Sequence, residues 1–266
     1  MPIQCCFDVE AISQRRFLGI DSRVMRSAFD IQNKLGRLCN ESIYQAELIH
    51  QCSTSGLTVV SEGEIVVSFD SFRKYYYLDA LIERGAVYEL KAVSNLNGQH
   101  ESQLLNYLFL AGLRHGKLVN FASASVQYRF ISTQIDAEKR FSFRINDDAW
   151  VPDIPSSRVL QEIVFNLLSD WGAFLDISLY REAVFHFLGG EDQLMHPVDV
   201  CVDGRVVGHQ KICLLDEDTG LHISSTIRYR ESYQKQLSRM LEHTGLKQIQ
   251  WVNFSRDAVY LTTLKK

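Results

Sequence analysis

The chain has 266 residues, of which 46% are hydrophobic and 23% charged, with a formal net charge of −4. That is enough for one large domain or two small ones with proper cores. The acidic balance counts against a protein that coats itself on nucleic acid through global charge, but does not exclude one with a local basic rim.

In chain order, Asp21 or Ser22 can cap a helix to about Leu35, with Val24, Ala28, Ile31 and Leu35 on one stripe and Gly36 closing it. A second helix follows over roughly 40–51. Apolar or alternating strands come next near 57–60, 64–70, 75–82 and 87–93. Turn residues Ser94 to Gly98 precede a helix carrying Gln103, and strands near 117–121 and 126–131 complete the unit. Helices packed on a mixed sheet predict an α/β architecture. No apolar run reaches the length of a membrane span, and residues 1–6 lack a charged-then-apolar leader, so a cytoplasmic protein with no membrane partner is expected. The six cysteines have no C-x-x-C spacing and the eight histidines no H-E-x-x-H, so free thiols are expected and a zinc site is not.

The chemistry concentrates between Tyr77 and Val93. Glu89 and Lys91 lie two apart on an apolar strand and share a face, while Leu90 points the other way. Asp79 sits on the preceding strand, across a turn at Glu83, Arg84 and Gly85. Two carboxylates and an ammonium facing one point suit a hard divalent cation and a water that attacks a phosphate. The same pattern also describes the solvated face of an amphipathic hairpin.

The flanks carry further signal. Leu35-Gly36 precedes Glu41-Ser-Ile-Tyr44. After the hairpin come Gln103-Leu-Leu-Asn-Tyr107-Leu and then Asn120-Phe121. This succession, from about Phe17 to Ile131, resembles the GxxExxY family within the PD-(D/E)XK nuclease superfamily. One motif glycine is absent, since Leu38 stands three residues before Glu41. The resemblance implies a restriction-endonuclease-like mixed sheet flanked by helices, with Asp79 and Glu89 as ligands of Mg²⁺ or Mn²⁺ and Lys91 as the catalytic lysine. It also implies a third carboxylate from Glu41 and a supporting Gln103. Tyr44 and Tyr107 read as core tyrosines with satisfied hydroxyls.

Residues 133–157 turn polar, with Pro152 and Pro155, and read as a linker or an arm with a strand at 141–145. Beyond them the first half recurs. Gly112, Leu113, Val119, Asn120 and Phe121 reappear as Gly245, Leu246, Val252, Asn253 and Phe254 at a constant offset of 133, and Gly36 and Tyr44 as Gly172 and Tyr180 at 136. One long period indicates a duplicated fold. The expected organisation is a nuclease-like domain over 1–132, the linker or arm over 133–157, and a degenerate repeat over 158–266. In that repeat, Glu89-Leu-Lys91 becomes His222-Ile-Ser224, Glu41 becomes Ile177 beside Asp176, and Asp79 falls near Gln210.

The leading expectation is a metal-dependent hydrolase cutting phosphodiester bonds of nucleic acid, with DNA as the first substrate to test. Arg37, Arg73, Lys74, Arg228 and Arg230 are candidate phosphate contacts, with surface solvation as their bland alternative. An internal pseudo-dimer or a homo-oligomer fits a superfamily that often works in pairs. The competing expectation is a non-catalytic nuclease-fold protein that binds nucleic acid or a protein partner. A nucleotide-dependent phosphoryl-transfer enzyme would need a glycine-rich phosphate loop, and none is present.

Overall fold

A computed structural model describes residues 2–266. The chain forms two units, the first ending at Glu138 and the second beginning at Lys139. The α/β expectation, with a mixed sheet flanked by helices and duplicated, holds.

The N-terminal unit runs β1 (Ile3–Cys5), α1 (Gln14–Leu35), α2 (Glu41–Thr54), β2 (Val59–Phe69), β3 (Phe72–Ile82), β4 (Ala86–Lys91), α3 (Gly98–Ala111), β5 (His115–Asn120) and β6 (Gln127–Ser132). Its sheet has the order β1-β2-β3-β4-β5-β6. Only β4 and β5 pair in parallel, with α3 as the crossover between them. Phe17, Ile20, Val24, Ala28 and Ile31 bury one stripe of α1 against Ala80, Tyr88, Leu90 and Val119 of the sheet. Gly116 is bare because Leu104 of α3 packs there; an added Cβ would sit 2.9 Å from its Cδ1.

Two local expectations differ from the structure. Helix α1 starts seven residues before Asp21, with Ser13 as its cap accepting from the Arg16 amide. Asp21 instead lies buried in mid-helix, ion-paired with Lys117 and accepting from the Tyr88 hydroxyl at 3.1 Å. Its polarity resembles a cap in sequence, but its partners are 67 and 96 residues away. The strands expected at 57–60 and 64–70 are one strand, because pairing with β3 continues from Ser61↔Ala80 to Gly63↔Leu78 across the polar Glu62.

A short helix, α4 (Ala137–Arg140), spans the division between the units in sequence. The C-terminal unit continues with β7 (Arg144–Ala149), α5 (Pro155–Trp171), α6 (Ile177–Phe187), α7 (Glu191–Leu194), β8 (Met195–Val202), β9 (Arg205–Leu214), β10 (Thr219–Ser224), α8 (Arg230–Glu242), β11 (Gln248–Ser255) and β12 (Ala258–Lys265). Its sheet has the order β7-β12-β11-β10-β9-β8, parallel at β10–β11 and β12–β7. The strand expected at 141–145 in the linker or arm lies at Arg144–Ala149, as an edge strand of this sheet, and Pro155 opens α5, where its fixed φ suits the first turn.

Five strands and three helices follow the same order in both units, and the resemblance reaches single contacts. The Tyr44 hydroxyl donates to the Gly36 carbonyl at 2.9 Å, and that of Tyr180 to Gly172 at 2.7 Å. Both glycines end their helices at φ 70–75° with ψ near the extended limit, a region open only to glycine. Tyr44 stacks on Phe121 at 4.6 Å and Tyr180 on Phe254 at 4.5 Å. The Asn120 side chain clamps the amide and carbonyl of Val93 at 3.0 and 2.8 Å; Asn253 does the same to Thr226 at 2.7 and 3.0 Å. Both asparagines are fully buried, so removing either amide strands backbone groups. Asn120→Ala and Asn253→Ala should each destabilise the protein by about 1–3 kcal/mol, read as a lowered denaturation midpoint. A loss below about 0.5 kcal/mol in both would show that the clamps are dispensable.

Candidate functional site

Strand β4 is buried on both faces. Tyr88 and Leu90 face the α1–α2 core, and Glu89 and Lys91 face the other side. The β3–β4 turn places Glu83 and Arg84 at φ 50° and 57°, and the Gly85 amide closes it on Ile82 at 3.2 Å. The resulting register, Ile82↔Ala86 to Ala80↔Tyr88, brings Asp79 opposite Glu89 one residue beyond the last paired position. There the strands part, and Asp79 Oδ2 accepts from the Leu90 amide at 2.7 Å in place of a backbone carbonyl.

Glu89 is only 1% exposed. Its Oε1 accepts from Lys91 Nζ at 2.7 Å, while its Oε2 is buried with no hydrogen-bond partner among the described residues. Burial pushes the Glu89 carboxyl up to about 8, helped by the Asp79 charge and opposed by Lys91. Burial also pushes Asp79 up to about 6, against the Leu90 amide and the Lys91 ammonium, while Glu41 and Glu62 add repulsion. Burial works against the charge on Lys91, but Glu89, Glu41 and Asp79 outweigh it and hold its pKa above the ordinary value.

The remaining predicted residues take different places. Glu41, the first residue of α2, accepts from the Ala92 amide through Oε2 at 3.1 Å and lies 3.7 Å from Lys91 Nζ through Oε1. Gln103 donates to the Tyr107 hydroxyl at 3.1 Å, and Tyr107 is close enough for the charges of Glu89 and Asp79 to raise its pKa after burial. The Tyr44 hydroxyl holds the turn between α1 and α2, donating to Gly36 and accepting from the Cys39 amide at 3.1 Å. Arg73 and Lys74 lie five or six residues up β3 from Asp79, roughly 16–20 Å along the strand. Arg73 folds back onto the carbonyls of Asp70 and Phe72, and Lys74 sits 5.2 Å from the Tyr76 ring. The structure does not bring these two to the carboxylates.

Glu62 was not singled out in the sequence. It lies between the pairs Ser61↔Ala80 and Gly63↔Leu78, and so opposite Asp79, with φ 50° in mid-strand. Gln45 Nε2 donates both to Glu62 Oε1 at 2.5 Å and to the Asp79 carbonyl at 3.1 Å. The signal was weak, since a glutamate on an exposed strand position is ordinary; only the pairing register puts it beside Asp79.

In the C-terminal unit the pair Leu221↔Cys213 puts Ile212, not Gln210, opposite His222. His222 shares a 2.8 Å hydrogen bond with Tyr233, and Trp251 Nε1 donates to Ser224 Oγ, which donates on to Asn253, both at 2.8 Å. Asp176 caps α6 through the Ser178 amide. Arg228 follows β10 in a loop and Arg230 opens α8, 4.0 Å over the Tyr260 ring.

Glu89 generates a pH prediction. Its folded pKa, about 8, lies above its ordinary 4.5, so the folded chain holds the proton more tightly than the unfolded chain. The resulting stability is present below about 4.5 and is lost as pH rises toward 8; each unit of mismatch is worth about 1.4 kcal/mol. In chelator, wild type should melt at a lower temperature at pH 8 than at pH 6, and Glu89→Gln should abolish most of that difference. Equal slopes in the two proteins would contradict this account of the buried carboxylate.

Among curated proteins, none matches the chain. The crystal structure of SSO0001 is similar at 18% identity over 58% of this chain and 79% of its own, with a TM-score of 0.26, too low to carry an argument. Residues 19–131, which contain Glu41, Asp79, Glu89, Lys91 and Gln103, match the PD-(D/E)XK nuclease superfamily.

Proposed function

We propose that the protein is a metal-dependent nuclease whose chemistry resides in the N-terminal unit. The observation that carries this reading is Glu89, a carboxylate buried between Asp79 and Lys91 with one oxygen lacking a hydrogen-bond partner among the described residues. A charge in that setting is costly unless something binds it. Among the described residues no three carboxylate, imidazole or thiol groups converge into a cage. The donor set instead suits Mg²⁺ or Mn²⁺ held by two carboxylates, since Mg²⁺ keeps several of its own waters. Asp79 and Glu89 would be those ligands, with Glu41 at the edge. A cation bound there would neutralise the phosphate and lower the pKa of a coordinated water.

The chain's own groups have separate tasks. Lys91 keeps its proton at neutral pH, because three carboxylates raise its pKa. It would therefore donate hydrogen bonds to the attacking water or to the phosphate oxygens, rather than act as a base. Its hydrogen bond to Glu89 and the charge of Glu41 aim it. Gln103 and Tyr107 would line the same side. The substrate would be nucleic acid, with DNA as the first form to test.

The C-terminal unit would be a non-catalytic repeat. Ile212, His222 and Ser224 stand where Asp79, Glu89 and Lys91 stand in the first, and its polar groups bond each other. It would help hold the substrate or a partner, as one half of an internal pseudo-dimer or within a homo-oligomer. The same observation favours binding without cutting as the second reading of the whole protein.

Cleavage of labelled single-stranded DNA, duplex DNA and RNA with Mg²⁺ or Mn²⁺ tests the proposal. Wild type should cut only with metal, and Lys91→Ala should be slower by about 10²-fold or more. Undiminished cleavage by purified Lys91→Ala would refute the assignment. No cleavage by either protein, with binding insensitive to chelator, would select the second reading. Mg²⁺ should also raise the wild-type melting temperature at pH 8 and leave Asp79→Asn nearly unmoved; equal shifts would remove Asp79 from the ligand set.

A further inference from the structure

Beside the carboxylates of the N-terminal unit lies a recess of opposite electrostatic character. This cavity, of about 530 Å³, is lined by Arg37, Ser94, Asn95, Ser123, Ser125 and Gln127, with two alanines between them. Among the described residues its lining holds one guanidinium and no carboxylate. Its walls are the loops leaving the C-terminal ends of β4 and β5, which run parallel, and the turn between α1 and α2. In open parallel α/β sheets ligands bind in the crevice outside the carboxyl ends of the strands, and β4 and β5 present one such pair of strand ends.

Each wall is held. Asn120 fixes the first loop at Val93. Gln32 Nε2 fixes the second through the carbonyls of Phe121 and Ser123, at 2.7 and 3.0 Å. The Tyr44 hydroxyl fixes the turn through Gly36 and Cys39, on either side of Arg37 and Leu38. Glu41, four residues beyond Arg37, accepts from the Ala92 amide, so the recess and the carboxylate cluster share a wall. A guanidinium among hydroxyls and amides on rigid loops suits a phosphate, whose oxygens take charged and neutral donors together.

We infer that this recess anchors a phosphate of the nucleic-acid strand other than the one that is cut, with Arg37 as its charge partner. The inference rests on the nuclease reading above and extends it. A bare carboxylate cluster repels a polyanion, so the strand requires a cationic hold outside the cluster. Arg37 is exposed and supplies one within the same unit.

The test is fluorescence anisotropy of a labelled single-stranded DNA, and of the same sequence as RNA, in chelator and across a salt series. Arg37→Ala should bind about tenfold more weakly than wild type. Its slope of log affinity against log salt should be shallower by about 0.7, the value for one phosphate contact on a single strand. Arg37→Lys should restore the slope and part of the affinity, because it keeps the charge but not the planar fork. Ser94→Asp, which adds an anion to the recess and leaves Arg37 in place, should reproduce the loss. Strand binding that is identical in wild type, Arg37→Ala and Ser94→Asp at every salt concentration overturns the subsite and leaves the nuclease reading standing. Neither binding nor metal-dependent cleavage by wild type overturns both.

Discussion

A carboxylate buried without a full set of partners is the constraint around which the N-terminal unit is arranged. Strand β4 lies inside the sheet with both faces covered, so the polarity of Glu89 has to be answered locally. Lys91 answers one oxygen, and among the described residues nothing answers the other. Asp79 adds a second negative charge across the register and turns its own oxygen to the Leu90 amide, at the point where β3 and β4 part. The first turn of α2 then brings Glu41 to the amide following Lys91. Each of these contacts raises or relieves the same local charge, and so they are coupled.

The second unit shows the same scaffold without that constraint. The asparagine clamp, the tyrosine on its phenylalanine and the glycine that accepts the tyrosine hydroxyl are all repeated. At the three positions of the charged cluster stand Ile212, His222 and Ser224, joined to Tyr233 and Trp251 by ordinary packing and neutral hydrogen bonds. Scaffold and charge are therefore separable within one chain. The sixth strand differs as well: β1 pairs antiparallel beyond β2, whereas β7 pairs parallel beyond β12, at the opposite end of its sheet.

Much of the fold was legible in sequence because periodicity and repetition survive translation into structure. The stripe of Val24, Ala28 and Ile31 and the recurring Gly, Leu, Val, Asn and Phe reported elements without reference to distant partners. Asp21 was misread because a helix cap and a buried ion-pair member are the same letter, and only Lys117 distinguishes them. The facing of Asp79, Glu89 and Lys91 followed from alternation plus one turn. Glu62 escaped because its place depends on the β2–β3 register, and the Tyr107 bond to Gln103 depends on rotamers. Gln210 was the wrong counterpart of Asp79 because it assumed a longer hairpin; the pairing keeps the offset of 133 through the turn and selects Ile212 instead.

The hydroxyl that reaches back eight residues to a helix-ending glycine has a consequence for how such chains diverge. That corner closes on itself, using only a tyrosine, a glycine and a stacked phenylalanine, and it takes nothing from the carboxylates. The corner can therefore persist where the charged cluster is absent, as it does at Gly172, Tyr180 and Phe254. A search keyed to the Gly–Tyr pair and the Asn–Phe strand end would recover silent copies that one keyed to Glu-x-Lys passes over.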